Sequence, residues 1–431
     1  MSGSQSPRRA QPADRAMLIS AAHAGRRAAL RSGSDSSRSQ QGENDMKRSA
    51  LTILSLASLA ITGSAHAQSS VTLYGLIDTS LTYLSHGAGD KNAWLVGNSS
   101  TGNLGGSQWG IKGSEALGGG LTAVFQLESG FDPSNGKLGQ GGREFGRQAF
   151  VGLAHERLGG VTLGRQYDPL TDLIQPITED SVFGGAFATA GDVDNYDDSF
   201  HVDRSVKYTS PVLDGVRFAI MYSFGGVAGS MGSGQSYSAA MVYSGGPLSL
   251  AGGYYHATNA ASDFGPRDGW SSSSDGTFDG PINLGYRSAH SLGIARVAGR
   301  YLFGRFTLGA GYSNAQYRRD GASRFGENEH YDTAQGFVNY QASPSIVMGV
   351  GYSYTKSGGD SSATYHQVSL GGTYSLSQRT ALYVIAAYQH ASGTTSDGAG
   401  GTAAAQASIG SYGYAGTSSQ TIVNLGMRHT F

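Results

Sequence analysis

The sequence predicts an all-β fold, a transmembrane antiparallel β-barrel of 16 strands, and three features carry that expectation. Apolar and polar residues alternate with period two along much of the chain. Short turns and long polar connections take turns between the alternating segments, and the one continuous apolar run is too short to cross a bilayer as a helix. Length is less decisive, since 431 residues allow one large domain or several ordinary ones. Gly 67, Tyr 24 and Phe 16, against 14% charged residues and Pro 10, suit strands, tight turns and aromatic anchors better than a helical enzyme. A mean hydropathy of −0.26 is no objection. In a membrane barrel every second residue faces a wet lumen, and no strand supplies a long apolar run.

The apolar run sits near the front. Met46-Lys47-Arg48 is basic, Leu51 to Ile61 is apolar, and Ala65-His66-Ala67 is a small-x-small site before Gln68. This is the form of a secretory signal peptide over 46–67, with cleavage expected after Ala67. Residues 1–45 are rich in Ser, Gly, Gln and Arg without a hydrophobic period, so a disordered or non-native extension is expected there, with translation starting at Met46. Arg8-Arg9 is not followed directly by an apolar run, which argues against a twin-arginine signal. The first 67 residues hold 9 of the 30 Lys and Arg and 4 of the 31 Asp and Glu, so residues 68–431 keep 21 basic against 27 acidic side chains, a net −6. Such a chain lacks the basic field that a general nucleic-acid binder needs. Zero Cys fits an oxidising export compartment and excludes thiolate metal sites and Cys nucleophiles.

From Val71 the alternation is plain. Val71, Leu73, Ile77 and Leu81 share one face, and Thr72, Tyr74, Asp78, Ser80 and Thr82 the other. The pattern returns in Leu121, Ala123, Phe125 and Leu127, and again in Val216, Phe218, Ile220 and Tyr222. Read to the end, it places strands at about 70–84, 105–117, 121–131, 143–155, 160–168, 201–210, 215–225, 236–245 and 248–257. Seven more follow near 287–302, 305–316, 331–342, 346–356, 363–376, 380–391 and 419–431. Short turns lie at Gly118-Gly119-Gly120, Leu158-Gly159-Gly160, Pro211 to Asp214, Gly245-Gly246-Pro247, Phe303-Gly304, Ser343-Pro344-Ser345 and Ser377-Gln378. Between them fall mostly longer connections at 85–104, 132–142, 169–200, 226–235, 258–286, 317–330, 357–362 and 392–418. An outer-membrane barrel, with short periplasmic turns and longer outer loops, has this asymmetry, and a soluble β-sandwich does not.

Several segments resemble the general diffusion porins of Gram-negative bacteria, especially the sixteen-stranded trimeric type of β-proteobacteria. They are Ser70 to Gly75 with Asp78, Trp109 to Glu115 with Leu117 to Gly120, Phe125 to Glu128, Gly146 to Leu153, Leu163 to Tyr167, and Ser205 to Tyr208 with Ser210-Pro211. The closing strand Val423 to Phe431 completes the series, which runs from one end of residues 68–431 to the other. The resemblance implies a passive aqueous channel for ions and small hydrophilic solutes. It implies a homotrimer in outer-membrane lipid and lipopolysaccharide, with Phe431 as the signal read by the barrel assembly machinery. It also implies a third outer loop folded into the lumen, here Asp168 to Phe200, whose acids face a ladder of wall bases. By position in the motifs the acids are Asp172, Glu179 and Asp180, and the bases are Lys112, Arg147, Lys207 and Arg204. Phe183-Gly184-Gly185 resembles the loop-tip turn. A connection of this length is unusual unless functional or disordered, so the residues single it out as well. Asp168, Asp192, Asp194, Asp197 and Asp198 add to its acidity.

Two departures thin the ladder. Gln108 and His201 stand where the family commonly has Arg, which leads us to expect a weaker anion preference than in relatives with the full ladder, or even a cation preference. Facing acids and bases across a narrow water path set a transverse field, and a ring of one sign selects ions of the other. Parity puts Lys112 with Gln108 and Gly110 on the lumen face, is less clear for Arg147, and leaves Arg165 an interfacial or subunit-contact role.

No cofactor, catalytic group or metal site is expected. His155, His256, His290, His366 and His390 are scattered over different strands without metal-ligand spacing, and neither a GxSxG elbow nor a Walker loop is present. The alternatives are a barrel enzyme of the lipase or protease type, a plugged adhesion or binding barrel, and a soluble secreted β protein.

Overall fold

Sixteen alternating segments can bury their backbone polar groups in lipid only by pairing on both edges, and the structure shows that closure. It is a computed structural model describing residues 69–431 except 88, 99–100, 198–199, 261–269, 271–281 and 411–415. The signal peptide at 46–67, its cleavage site, the extension 1–45 and Asp198 lie outside the described residues.

The strands are β1 (Ser69–Gly87), β2 (Lys91–Gly97), β3 (Gln108–Gly118), β4 (Leu121–Gly130), β5 (Gln148–His155), β6 (Gly159–Tyr167), β7 (His201–Thr209), β8 (Val216–Ser223) and β9 (Ser236–Gly245). They continue as β10 (Leu248–Thr258), β11 (Ser291–Phe303), β12 (Phe306–Arg318), β13 (Glu329–Ser343), β14 (Ile346–Gly358), β15 (Ser362–Ser375), β16 (Thr380–Ser396), β17 (Thr402–Ala404) and β18 (Ser419–Thr430). Leaving out the short β2 and β17, the remaining sixteen form the wall of a closed antiparallel barrel. Closure is made by β1 and β18, in register from Leu76↔Thr430 to Ser85↔Thr421. On its other edge β1 pairs with β3 over Ser69–Leu76 and with β2 beyond Ser80. The ring thus leaves no unpaired edge, each group of which would cost several kcal/mol in hydrocarbon.

Gly75 and Phe431 seal the seam. Their backbone N–H and C=O groups exchange two hydrogen bonds, at 3.0 and 3.2 Å. The Phe431 ring lies over the bare Cα of Gly75, where a Cβ would come 2.5 Å from Cζ. Covering a strand glycine with an aromatic ring restores the packing that the glycine lacks.

Alternation sorts the two faces as expected. Val71, Leu73, Ile77 and Leu81 are 42–69% exposed, while Asp78, Ser80 and Thr82 are buried. Exposed Leu, Val, Ile and Met side chains continue around the wall in a belt far larger than a soluble monomer presents. Exposed aromatics border it. Tyr243, Tyr301, Phe306 and Tyr374 lie toward the short turns, and Tyr237, Tyr254, Tyr312, Tyr352 and Tyr388 toward the long loops. The girdle is uneven, because every exposed large apolar side chain of β1 and β3–β6 is aliphatic.

All sixteen expected segments are strands, but three local features differ from the reading. The β2 and β17 pieces are additional. Strand β5 starts at Gln148 rather than near 143, because the preceding residues spend their hydrogen bonds in turns: Asp132 accepts from Ser134 and Asn135, and Gln140–Gly142 forms a 3₁₀ turn. Finally, the long connection after β6 carries helical turns that no apolar period announced.

Candidate functional site

The connection between β6 and β7 turns inward and crosses the lumen. Asp168 starts it, accepting from the Leu170 N–H at 2.7 Å and the Thr171 hydroxyl at 3.0 Å and so capping the one-turn helix Pro169–Leu173. Leu170, Leu173, Ile174 and Ile177 then pack on an inner wall lined with small side chains, among them Ala219, Ala240, Ala251 and Ala298. Short side chains on the wall are what let a chain segment lie against it.

The tip reaches the opposite side. A second helical turn, Asp180–Phe183, ends at Gly184, whose φ of 73° and close approach to the Asn103 carbonyl (a Cβ would sit 1.9 Å away) admit only glycine. Gly185 opens the following 3₁₀ turn. Phe183 and Phe187 stack with centroids 5.1 Å apart and press into dents left by wall glycines, Phe183 at Gly349 and Gly371 and Phe187 at Gly351. Gln367 donates to the carbonyls of Ala186 and Ala188, Ser369 donates to that of Ala186, and Asn339 donates to Glu179 at 2.9 Å. The loop and its apolar contacts therefore fill much of the lumen beside β8–β16. The polar inner wall of β1 and β3–β5 is left facing the water path, with Lys112 exposed and Tyr74, Gln108, Gln126 and Gln148 partly so.

Two acid–base pairs stand on this path. Lys207 Nζ donates to Asp172 at 2.6 Å and to the Tyr167 carbonyl at 2.9 Å, which ties the loop's first turn to β7. Arg147 Nε meets Glu128 at 3.0 Å, and the guanidinium lies 5.6 Å from the Tyr167 ring centroid. Parity said little about Arg147 because it precedes β5 and obeys no strand alternation. Lys112 Nζ sits 5.0 Å from the centroid of Tyr74, whose hydroxyl donates to Glu128 and accepts from Gln126. No carboxylate lies within ion-pair distance of Lys112 among the described residues.

The other expected site residues do not join this group. Arg204 falls in a β-bulge, where Asp203 and Arg204 together oppose Arg165, and its guanidinium reaches over Gly226 beyond β8. Arg165 pairs with Asp203 at 2.5 Å and also donates to the carbonyls of Gly146 and His201. Glu179 and Asp180 turn toward the wall and are buried. Burial pushes the Glu179 carboxyl up to about 8, so it is mostly protonated at neutral pH. Asp180 accepts from the Thr178 hydroxyl at 2.5 Å. Of the three expected loop acids, Asp172 alone is exposed.

Three bases escaped the reading. Arg296 and Arg300 on β11 donate to the loop carbonyls of Asn195 (2.8 Å) and Pro176 (3.1 Å), and Arg428 on β18 is the register partner of Asp78. Each has lumen parity, Arg296 and Arg300 with Leu292, Ile294 and Ala298, so alternation alone could have found them. Gly349, Gly351 and Gly371 were likewise legible as glycines inside strands, a usual mark of close backbone approach.

A closed barrel with a lipid-facing belt and a loop folded across its lumen defines a membrane channel with an internal constriction. Comparison with known proteins then places it. A family model described as Gram-negative porin matches residues 50–394, and the chain belongs to that family. It is 28% identical to outer membrane porin protein 32 of Delftia acidovorans, over 90% of this chain and 100% of that one. It is 39% identical to an outer membrane porin of Bordetella pertussis over 42% of this chain and 48% of that relative. A solved structure, the anion-selective porin from Comamonas acidovorans, shares the fold at a TM-score of 0.65 and 23% identity, covering 84% of this chain and all of that one. The protein is an outer-membrane porin, a passive channel.

If the glycine dents seat the loop tip, filling one must push the tip into the water path. Gly371→Val, where the three atoms nearest a Cβ all belong to the Phe183 ring, the first at 2.4 Å, is expected to cut single-channel conductance by roughly half while the barrel still folds. Unchanged conductance would show that the tip does not bound the path.

Proposed function

We propose that this porin is a trimeric channel whose constriction favours anions. The observation that carries the selectivity is the charge balance along the water path. The acids there are each engaged: Glu128 with Arg147, Asp172 with Lys207, and Asp78 accepting from the Tyr383 hydroxyl and the Gly105 N–H. Among the described residues Lys112 and Arg300 have no acidic partner within ion-pair distance, and Arg428, the register partner of Asp78, is felt by that carboxylate. On this reading the ladder thinned at Gln108 and His201 is supplemented from β11 and β18, and we therefore favour an anion preference over the weak anion or cation preference first expected. The related solved structure is titled an anion-selective porin, which supports the reading.

Assembly as a trimer is supported by an outer membrane protein of Vibrio cholerae solved in trimer form, with a TM-score of 0.57 to this chain. The girdle gap over β3–β6 supports placing the contact on that face, since a wall that packs on neighbours has no membrane interface for aromatic side chains to occupy.

Two measurements test these readings. In a tenfold KCl gradient the reversal potential is expected to show chloride permeating several-fold better than potassium. Lys207→Met, which frees Asp172, is expected to move it toward potassium, most visibly near 0.1 M salt, where the screening length is about 10 Å. A native channel preferring potassium would contradict the assignment. For the trimer, Val151→Trp on β5 is expected to lower the temperature at which unheated samples dissociate on a gel. Val297→Trp on β11 leaves that temperature unchanged, and equal effects would contradict the placement.

A further inference from the structure

Both ends of the inward loop converge on one side chain, Arg296. It projects from β11 into the lumen and is buried among the largest fully enclosed side chains of the molecule. Its guanidinium carbon lies over Tyr196 of the returning limb, 3.7 Å from the ring centroid, and Nη1 donates to the Asn195 carbonyl at 2.8 Å. Asp168 at the loop's start and Asp194 on the return both feel its positive field. Asp168 also accepts from Asn195 Nδ2 at 3.3 Å, so the two limbs touch at this point. Asp194 takes hydroxyl hydrogen bonds from Thr189 and from Ser313 on β12, and the Tyr317 hydroxyl donates to the Val193 carbonyl at 2.9 Å. The other buried cation nearby, Lys207, is taken up by Asp172 and the Tyr167 carbonyl.

We propose that Arg296 is the positioning residue of the constriction: its buried charge holds Asp168 and Asp194 against the wall and so keeps the returning limb out of the water path. The physical reason is the cost of an uncompensated buried carboxylate. With Arg296 in place the two acids sit in its positive field, beyond ion-pair distance, beside their own backbone, hydroxyl and amide donors. Without it, they gain hydration only by moving toward the lumen, the one body of water within reach, and the limb that carries Asp194 goes with them. The barrel itself has no part in this movement, because its ladder hydrogen bonds do not involve the guanidinium. The proposal rests on the reading of the β6–β7 loop as the constriction, and it adds a device that sets the width of that constriction.

The acids also give the proposal a pH signature. Burial raises the carboxyls of Asp168 and Asp194 above their ordinary range, against the lowering effect of Arg296. Removing the arginine takes away the lowering influence, so protonation at low pH should relieve the strain that its loss creates. The charged and titratable groups around the cluster are Asp180, Asp192 and Tyr196 on the loop, Asp172 beside Asp168 with its partner Lys207 on β7, Tyr317 on β12, and Glu329 on β13 near Tyr317.

The test compares native protein, Arg296→Gln and the compensated pair Arg296→Gln/Asp194→Asn, each extracted from outer membranes and recorded in planar bilayers, with heat-modifiable gel migration as the check on folding. At pH 7 Arg296→Gln is expected to show partial closures at least ten-fold more frequent than native and a mean conductance lowered about two-fold. At pH 4, relative to native protein at the same pH, both differences are expected to shrink to less than two-fold, and the compensated pair is expected to be near native at both pH values. A folded Arg296→Gln with native closures at pH 7 overturns the proposal. So do closures that persist at pH 4 or in the compensated pair, since a lost packing contact would be indifferent to proton and charge. If Arg296→Gln fails to fold and the compensated pair folds, the charge role stands. If both fail, Arg296 is a structural residue of the barrel and the proposal falls. A native channel without ion flow would instead remove the underlying constriction reading.

Discussion

The constraint on which everything else here depends is that no backbone N–H or C=O may go unpaired in hydrocarbon. It forces sixteen strands into a ring and makes the β1–β18 seam obligatory. It explains why Gly75 and Phe431 exchange hydrogen bonds at the place where the first and last strands of the barrel meet. It also frees the side chains from holding the wall together. The outer face can be apolar for lipid, and the inner face can be spent on shaping a path.

The inner face is spent unequally. Alanines on β8–β11 and glycines on β14 and β15 make room for one loop, and the apolar residues of that loop fill the space. The polar residues of β1 and β3–β5 are left to face water. The lumen thus contains a packed half and a wet half, and charge at their boundary decides what passes. Buried acids are neutral or matched there, whereas Lys112 and Arg300 keep their full field. Under the proposed anion preference, selectivity follows from which charges packing leaves unpaired rather than from how many the sequence contains, for residues 68–431 carry a net −6.

Much of the barrel was legible because a strand in a two-sided environment must alternate, and all sixteen segments announced themselves that way. The starts and ends were less legible where turns compete for hydrogen bonds, as before Gln148. At the constriction, resemblance located Lys112, Arg147, Lys207 and Asp172 near the path. Arg204 sits in a bulge that no local pattern reveals, and Glu179 and Asp180 are turned toward the wall by contacts with β13 and with Thr178 that lie outside strand periodicity. Arg296, Arg300 and the dent glycines obey simple parity. They were missed because a loop's docking partners lie more than a hundred residues away in the chain.

The central claim is that an open, charge-lined water path runs past a docked loop in each of three barrels. Single-channel recording of the purified protein in planar bilayers tests it most directly. The account predicts stepwise, long-lived ohmic conductance that closes in three equal levels. A correctly folded barrel that inserts and carries no current would contradict it, and would mean that the loop plugs the lumen instead of narrowing it.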